Sequence, residues 1–331
     1  MSQLSISQRE QIYNLKQTGY TQAAIAEAIG KSQGTVSREL IRNRAGPWLG
    51  YLPDRAHVKA RDRRNQAKID TARWYDNKQL LSYVCDKLTC IEHWSPEQIA
   101  GRIEKEYPYD ENMRVSHESI YEYIWEDKQL DGDLYASLRH RGKKQNKRGS
   151  SHAGRGLIPN RRDIKERSPE VDKKIESGHH ESDLIVGKQG TSAAVATIVE
   201  RVSKKTFGRK ISRRSSRAMN GAVKRSLGHL PPAMRKTMTH DNGKEIADHE
   251  WITRNLGIIV YCATPYHSWE RGLNEHTNGL LRQYYPKGTD FKNVTQRQLD
   301  IVIDAINNRP RKILNYRTPN EVFEENLKLC I

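Results

Sequence analysis

The sequence predicts a multidomain protein with an all-α front region followed by an α/β domain on a mixed five-stranded sheet. Three observations carry this. Apolar residues recur at helical spacing through the first 138 positions, in runs opened by capping residues. From about residue 177 the pattern changes to short β-rich runs separated by turn residues. Those runs come as three strands in succession, then helix, strand, helix, strand, helix, which calls for antiparallel and parallel neighbours in one sheet.

The first segment reads as three short helices. Ser7 and Glu10 have capping-box spacing, with Ile12 and Leu15 on the apolar face behind them. Gly19 ends that helix and Thr21 caps the next, about 22–29, which turns Ile25, Ala26 and Ile29 inward. Gly30 makes a turn that needs positive φ, and a third helix, about 33–43, buries Val36 and Leu40. A basic helix follows over 52–68 with Arg55, Lys59, Arg61 and Arg63 among its residues. A second helical unit spans about 76–138. Ser95-Pro96-Glu97-Gln98 opens one helix and Ser116 caps another bearing Ile120, Tyr121, Ile124 and Trp125, a pair that again resembles a helix-turn-helix. Residues 139–167 are basic, rich in Gly and Ser and without period, the composition of a linker that can lie on a phosphate backbone. The strands are HHESDLIVG, SAAVATIVERV, TFGRKISR, KTMTHD and GIIVYCA. Helices are predicted near 219–227, 246–256 and 272–284, with a last one opened by the capping box at Thr318. The chain thus divides at 1–70, 71–138, 139–170 and 171–331.

With 57 Lys and Arg against 40 Asp and Glu, the net charge of +17 favours a polyanionic partner, nucleic acid first. No apolar run reaches the ~18 residues of a membrane span. The early Gln3, Ser5, Gln8 and Glu10 leave no signal-peptide stretch, so a cytoplasmic location is expected. Cys85, Cys90, Cys262 and Cys330 are scattered and form no CxxC pair, against both a zinc site and a disulfide scaffold.

Within residues 22–41, Ala26 stands four before Gly30 and Val36 six after it. A helix-turn-helix needs a small residue for close helix approach, a glycine at the turn and an apolar residue to seat the second helix. The outer face of that second helix then offers Gln33, Thr35, Ser37, Arg38 and Arg42 to the major groove of double-stranded DNA. Further on, three carboxylates fall on suggestive elements. Asp183 lies mid-strand beside apolar Leu184 to Val186, where an unpaired charge is costly unless it holds a metal. Glu181 shares its face. Asp241 ends a strand in Asp241-Asn242-Gly243, and Glu275 lies near the start of a helix with Arg282 two turns along the same face. Two aspartates on strand ends and one helical glutamate can hold two Mg²⁺ or Mn²⁺ ions ~4 Å apart, since hard oxygen ligands suit those cations.

These residues sit in long motifs, THDNGKE (239–245) and PYHSWERGLNEHTNGLLRQYYPKGTDF (265–291), with Glu275 following Asp241 by 34 positions. In them the chain resembles the DDE transposases of the IS-thirty family of bacterial insertion sequences, over nearly its whole length. The resemblance implies a retroviral-integrase-like, RNase H-like core over 171–331 and assigns Asp183, Asp241 and Glu275 as catalytic metal ligands. It also sets Arg282 near DNA, and Asn242, Trp269, Arg271, Asn274 and Asn278 around the site. His180 and Ser182 stand where the family often has Trp and Gly. The implied activity is metal-dependent cleavage at terminal inverted repeats and transfer of the exposed 3′-OH. It would be carried out at the nucleoid by a homodimer or larger assembly, without a nucleotide cofactor. The alternative is a DNA-binding repressor or domesticated protein with a silent catalytic core, against which the intact carboxylate set argues.

Overall fold

The computed structural model describes residues 4–46, 50–69, 73–139, 158, 160–264, 267 and 272–330. Most of the expected basic linker, together with Trp269 and Arg271, lies outside the described residues. The chain forms two compact units, Met1–Asp76 and Asn77–Ile331. No described helix is long and apolar enough to cross a membrane.

In the first unit, α1 (Ile6–Gln17), α2 (Gln22–Ala28) and α3 (Gln33–Arg42) are followed by a short antiparallel pair, β1 (Arg44–Gly46) and β2 (Gly50–Tyr51), and by α4 (Pro53–Ile69). Helix α1 begins earlier than the Ser7–Glu10 spacing suggests. Ser5 is the cap, and its box closes with Gln8 through two bonds of 3.1 Å. Leu4, buried just ahead of the cap, anchors the chain there, while Ser7 faces solvent. Thr21 caps α2 by accepting from the Ala24 amide, and Gly30 takes φ +65° at the turn, as the sequence predicts. Ile12, Ile25, Ala26, Val36 and Leu40 form the core. Arg9, itself buried, donates to Glu39 at 2.7 Å and to the Leu4 carbonyl at 2.8 Å, and the Tyr51 hydroxyl donates to Glu39 at 3.1 Å. This buried ion pair fixes α3 against α1 and β2.

The second unit opens with α5 (Lys78–Thr89), α6 (Pro96–Glu106) and α7 (His117–Gln129), packed through Leu80, Val84, Leu88, Ile99, Ile103, Ile120 and Ile124. The Ser95 capping box and the Ser116 cap form as expected. Residues 107–116 between α6 and α7 include a short 3-10 turn, Glu111–Met113. That link exceeds the roughly three- to four-residue turn of a helix-turn-helix. These helices pack on the α/β core. Arg102 grips the Glu321 carboxylate with two nitrogens at 2.9 and 2.6 Å, and the Tyr284 hydroxyl donates to the Ile91 carbonyl at 2.6 Å.

The core comprises β3 (His179–Val186), β4 (Ala194–Glu200), β5 (Thr206–Ile211), α8 (Ser216–Leu227), β6 (Thr237–His240), α9 (His249–Leu256), β7 (Ile259–Cys262), α10 (Gly272–Tyr284), α11 (Gln296–Asn307) and α12 (Pro319–Lys328). The sheet order is β5-β4-β3-β6-β7, with β3, β4 and β5 antiparallel and β3, β6 and β7 parallel. That is the mixed five-stranded sheet of an RNase H-like fold. Helices cover both faces, so every residue of β4 is buried. On one face Ala194, Ala196 and Ile198 meet α8, α9 and α12. On the other, Ile185 and Val195 meet Leu280 and Leu281 of α10 and Leu299, Ile303 and Ile306 of α11.

Helix α11 is absent from the sequence reading, although Thr295 caps it in a complete box with Gln298. Its Ile303 lies so close to β5 that a Cβ on Gly208 would come within 2.6 Å of the Ile303 side chain. Asn307 at its end clamps the backbone of Thr206 with two bonds of 2.8 Å.

Hydrogen bonds from Arg102, foremost, hold the Glu321 carboxyl down at about 2, from an ordinary 4.5. A carboxylate whose folded value lies below its unfolded value contributes stability above pH ~4.5 and loses it as pH falls towards ~2. Glu321→Gln is expected to lower the thermal midpoint at pH 7, with the gap to the native chain closing over that acid range. A gap that stays constant in calorimetry from pH 7 to 3 would remove this ion pair as its cause.

Candidate active site

Strand β3 positions two carboxylates on one face. Its parallel register with β6 pairs His179 with Thr237, His180 with Met238 and Glu181 with Thr239. Asp183 and Asp241 each lie two residues past that last pair, so the two strands carry them to the same level. Across the sheet Asp183 pairs with Thr197 of β4. At the exit of β6, the Gly243 amide donates to Asp241 Oδ1 at 3.0 Å. Such an Asx turn holds a side chain at a strand end. Asn242 is buried behind it and donates to the Ala263 carbonyl at 2.7 Å, tying the exit of β6 to that of β7.

Helix α10 brings the third carboxylate. Glu275 lies exposed in its first turn, where a negative charge meets the positive end of the helix dipole. Two contacts seat this turn on β3. The Asn274 amide donates to Glu181 Oε2 at 3.4 Å, and Asn278 Nδ2 donates to Asp183 Oδ2 at 2.7 Å. Thr197 in turn donates to Asn278 Oδ1 at 3.1 Å. Asn278 is three residues after Glu275 and shares its helix face. The structure therefore brings together the elements carrying Asp183, Asp241 and Glu275.

The surroundings are electronegative. Glu181 is almost fully buried, and burial raises its carboxyl despite Arg201 Nε at 3.3 Å. His240 is fully buried. Burial alone pushes its imidazole down, but the hydrogen bond to Asp241 and the charges of Asp241, Glu245 and Asp183 outweigh this and raise it. His240, Asp241 and Glu245 also offer ligand atoms within 4.8 Å of one another. A concentration of carboxylates with enough field to lift a buried imidazole fits a hard divalent cation. Glu245, His240 and the asparagine ties have no assigned role in the sequence reading, although all lie in the two long motifs or in GHHESDLIVGK.

The residues expected to read DNA lie on α3. Gln33, Arg38 and Arg42 are exposed, Thr35 and Ser37 partly so, while Val36 and Leu40 face the core. Arg38 Nε donates to the Gly34 carbonyl at 2.9 Å. Arg282 is far from α3 in sequence and is engaged locally. Its guanidinium donates to the carbonyls of Val186 at 2.7 Å and of Tyr285 and Pro286 at 3.4 Å, closing the C-terminal end of α10 onto β3. Arg282→Ala is expected to cost about 1–3 kcal/mol in a urea melt, as for charged hydrogen bonds to backbone. A change below a few tenths would show these bonds to be dispensable.

Comparison with known proteins agrees with both units. The helix-turn-helix domain family matches residues 1–43. The transposase of insertion sequence element IS4351 from Bacteroides fragilis is 42% identical over 321 residues, 96% of this chain and 94% of that protein. The transposase InsI of element IS30A from Escherichia coli is 34% identical over 340 residues, 99% of this chain and 85% of that protein. The transposase of element IS1086 from Cupriavidus metallidurans is 34% identical over 325 residues, 98% of this chain and 94% of that protein. With likeness of this degree running through both units, the chain belongs to the IS30 family of insertion-sequence transposases.

Proposed function

We propose that Asp183, Asp241 and Glu275 are the catalytic carboxylates of this transposase and hold two Mg²⁺ or Mn²⁺ ions. The observation that carries this reading is the seating of α10 on β3: one helix turn links Glu275 to Asn278, which donates to Asp183, while Asp241 stands at the same level on the neighbouring strand. When bound, such ions polarise the scissile phosphodiester and stabilise the departing 3′ oxygen. The residues of the chain fix the geometry. Asn278 orients one carboxylate, the Gly243 amide another, and Glu181 holds the helix turn that presents the third.

In this reading residues 1–70 recognise the terminal inverted repeats, with Gln33, Thr35, Ser37, Arg38 and Arg42 facing the major groove. Residues 171–331 carry the chemistry. Water attacks a phosphodiester at the element end, the P–O3′ bond breaks, and a 3′-OH is freed. That hydroxyl then attacks a second phosphodiester, forming one P–O bond as another breaks, with no covalent protein–DNA intermediate. The reading extends to Arg282, partly exposed two turns from Glu275. Joining two ends requires two or more copies on DNA, in the cytoplasm at the nucleoid.

The test is a strand-transfer assay with purified protein, a labelled duplex bearing the element's own terminal repeat, and Mg²⁺ or EDTA. Asp241→Asn preserves the acceptor for Gly243, so the loop is expected to hold, the repeat to bind normally and cleavage to vanish. Full cleavage by that variant in Mg²⁺ would sink the carboxylate assignment. Arg38→Ala is expected to weaken binding of the repeat by about 1–3 kcal/mol, the worth of a base contact. An unchanged preference for repeat over random DNA would take Arg38 out of the reading face.

A further inference from the structure

A cavity of about 1140 Å³ lies between the α6–α7 helices and the core, within the second unit, and runs along the face of α10 next to the one bearing Glu275. Its volume exceeds the ~300–1,000 Å³ of ordinary small-molecule pockets. Its two charged walls differ. On one, Arg167 and Arg201 share Asp172, and Arg201 also meets Glu181. On the other stand Arg139, Arg309 and Arg311, and among the described residues none of these three has a carboxylate partner. Arg309 and Arg311 are only 3% and 8% exposed. Their acceptors are neutral: Gln283 Oε1 at 2.9 Å and the Tyr284 hydroxyl at 2.8 Å for Arg309, the Ile306 carbonyl at 2.9 Å for Arg311. Among the described residues, the Nε of each is buried and without a hydrogen-bond partner.

Arg139 is packed against α10 at Gly279, where a Cβ would come 2.2 Å from its Nη2. Glycine is a poor choice inside a helix on propensity alone, and here it lets a guanidinium lie against the helix. The three cations also feel one another. Burial first, then Arg309 and Arg139, bring Arg311 down to about 9. Arg139 is exposed and Glu92 acts on Arg309 only at longer range, so two nearly buried guanidinium groups stand beside a third with no carboxylate in contact among the described residues, a costly arrangement that the fold retains on one wall of a cavity.

We propose that this wall binds the phosphodiester backbone of a single DNA strand. Guanidinium groups present forked donors matched to phosphate oxygens, and partly exposed Tyr121 of the same cavity offers a face on which an unpaired base stacks. A phosphate would supply the contact ion partner that these arginines lack among the described residues, and the wall lies beside the helix that carries Glu275. It rests on the chain acting on DNA and is independent of which residues hold metal.

The experiment uses the full chain in EDTA, with a fluorescent oligothymidylate as probe and saturating unlabelled duplex repeat to occupy the first unit. The Arg139→Gln/Arg311→Met double variant is expected to bind the probe about tenfold more weakly, as charge-assisted hydrogen bonds to phosphate are removed. Its plot of log affinity against log salt should be shallower by about 0.7 for each phosphate no longer neutralised. Gly279→Ala, which displaces Arg139 without changing charge, should shift the affinity the same way. The assay runs in EDTA and reads binding without cleavage, so a failed carboxylate assignment leaves this test intact. Thermal midpoints of the arginine variant should be no lower than native. Unchanged probe affinity and salt slope in both variants, or a lowered midpoint that shows the arginines to be structural posts, would overturn the proposal. So would displacement of the probe by polyglutamate at equal charge concentration, which would point to an acidic polypeptide instead.

Discussion

The core depends on how two acidic side chains on a nearly buried strand are satisfied. Glu181 and Asp183 both face α10, where unpartnered carboxylates would be expensive. The helix meets each with an asparagine, through a backbone amide at Asn274 and a side-chain amide at Asn278. These ties set the position and rotation of the first turn of α10, and with it Glu275. They also use neutral donors. At Asn278 a lysine or arginine would set a positive charge against the negative field that raises His240, whereas at Asn274 the donor is the backbone amide. Glu181 also meets Arg201, so the neutral side-chain tie that leaves the site acidic is the one from Asn278 to Asp183.

The sheet explains why two aspartates meet there. Strand β3 is the point at which the order turns from antiparallel to parallel. On its β6 side both strands run the same way, so their carboxyl ends open on one edge, as ligand sites in open α/β sheets do. On its β4 side Thr197 completes the hydrogen bonds of Asp183 and Asn278. Covering both faces with helices leaves this edge, with the first turn of α10, open to solvent.

Much of this was legible in the residues. The helix-turn-helix is local: Thr21, Gly30 and Val36 act within a few positions, so their spacing alone is informative. The five strands were readable because β-branched runs are bounded by turns. Helix α11 was missed although its signal is local: Thr295 and Gln298 have capping-box spacing, and Leu299, Val302, Ile303 and Ile306 form its apolar stripe. The cap of α1 was misread because Ser5 and Ser7 both precede suitable partners, and buried Leu4 decides between them. The supporting roles of Glu181, Asn274 and Asn278 depend on contacts across more than 90 positions, which no local pattern encodes.

The bond between Arg102 and Glu321 joins residues 219 positions apart. A chain made from its N-terminus therefore has its helix-turn-helix unit, complete by residue 76, long before α12 exists to close against α6. Domains emerging from the ribosome fold in that order. An unfinished product thus carries a folded binding unit with no finished partner, so translation itself separates recognition from chemistry in time. Every nascent chain passes through a stage at which its helix-turn-helix unit can be folded while the α/β core is still incomplete.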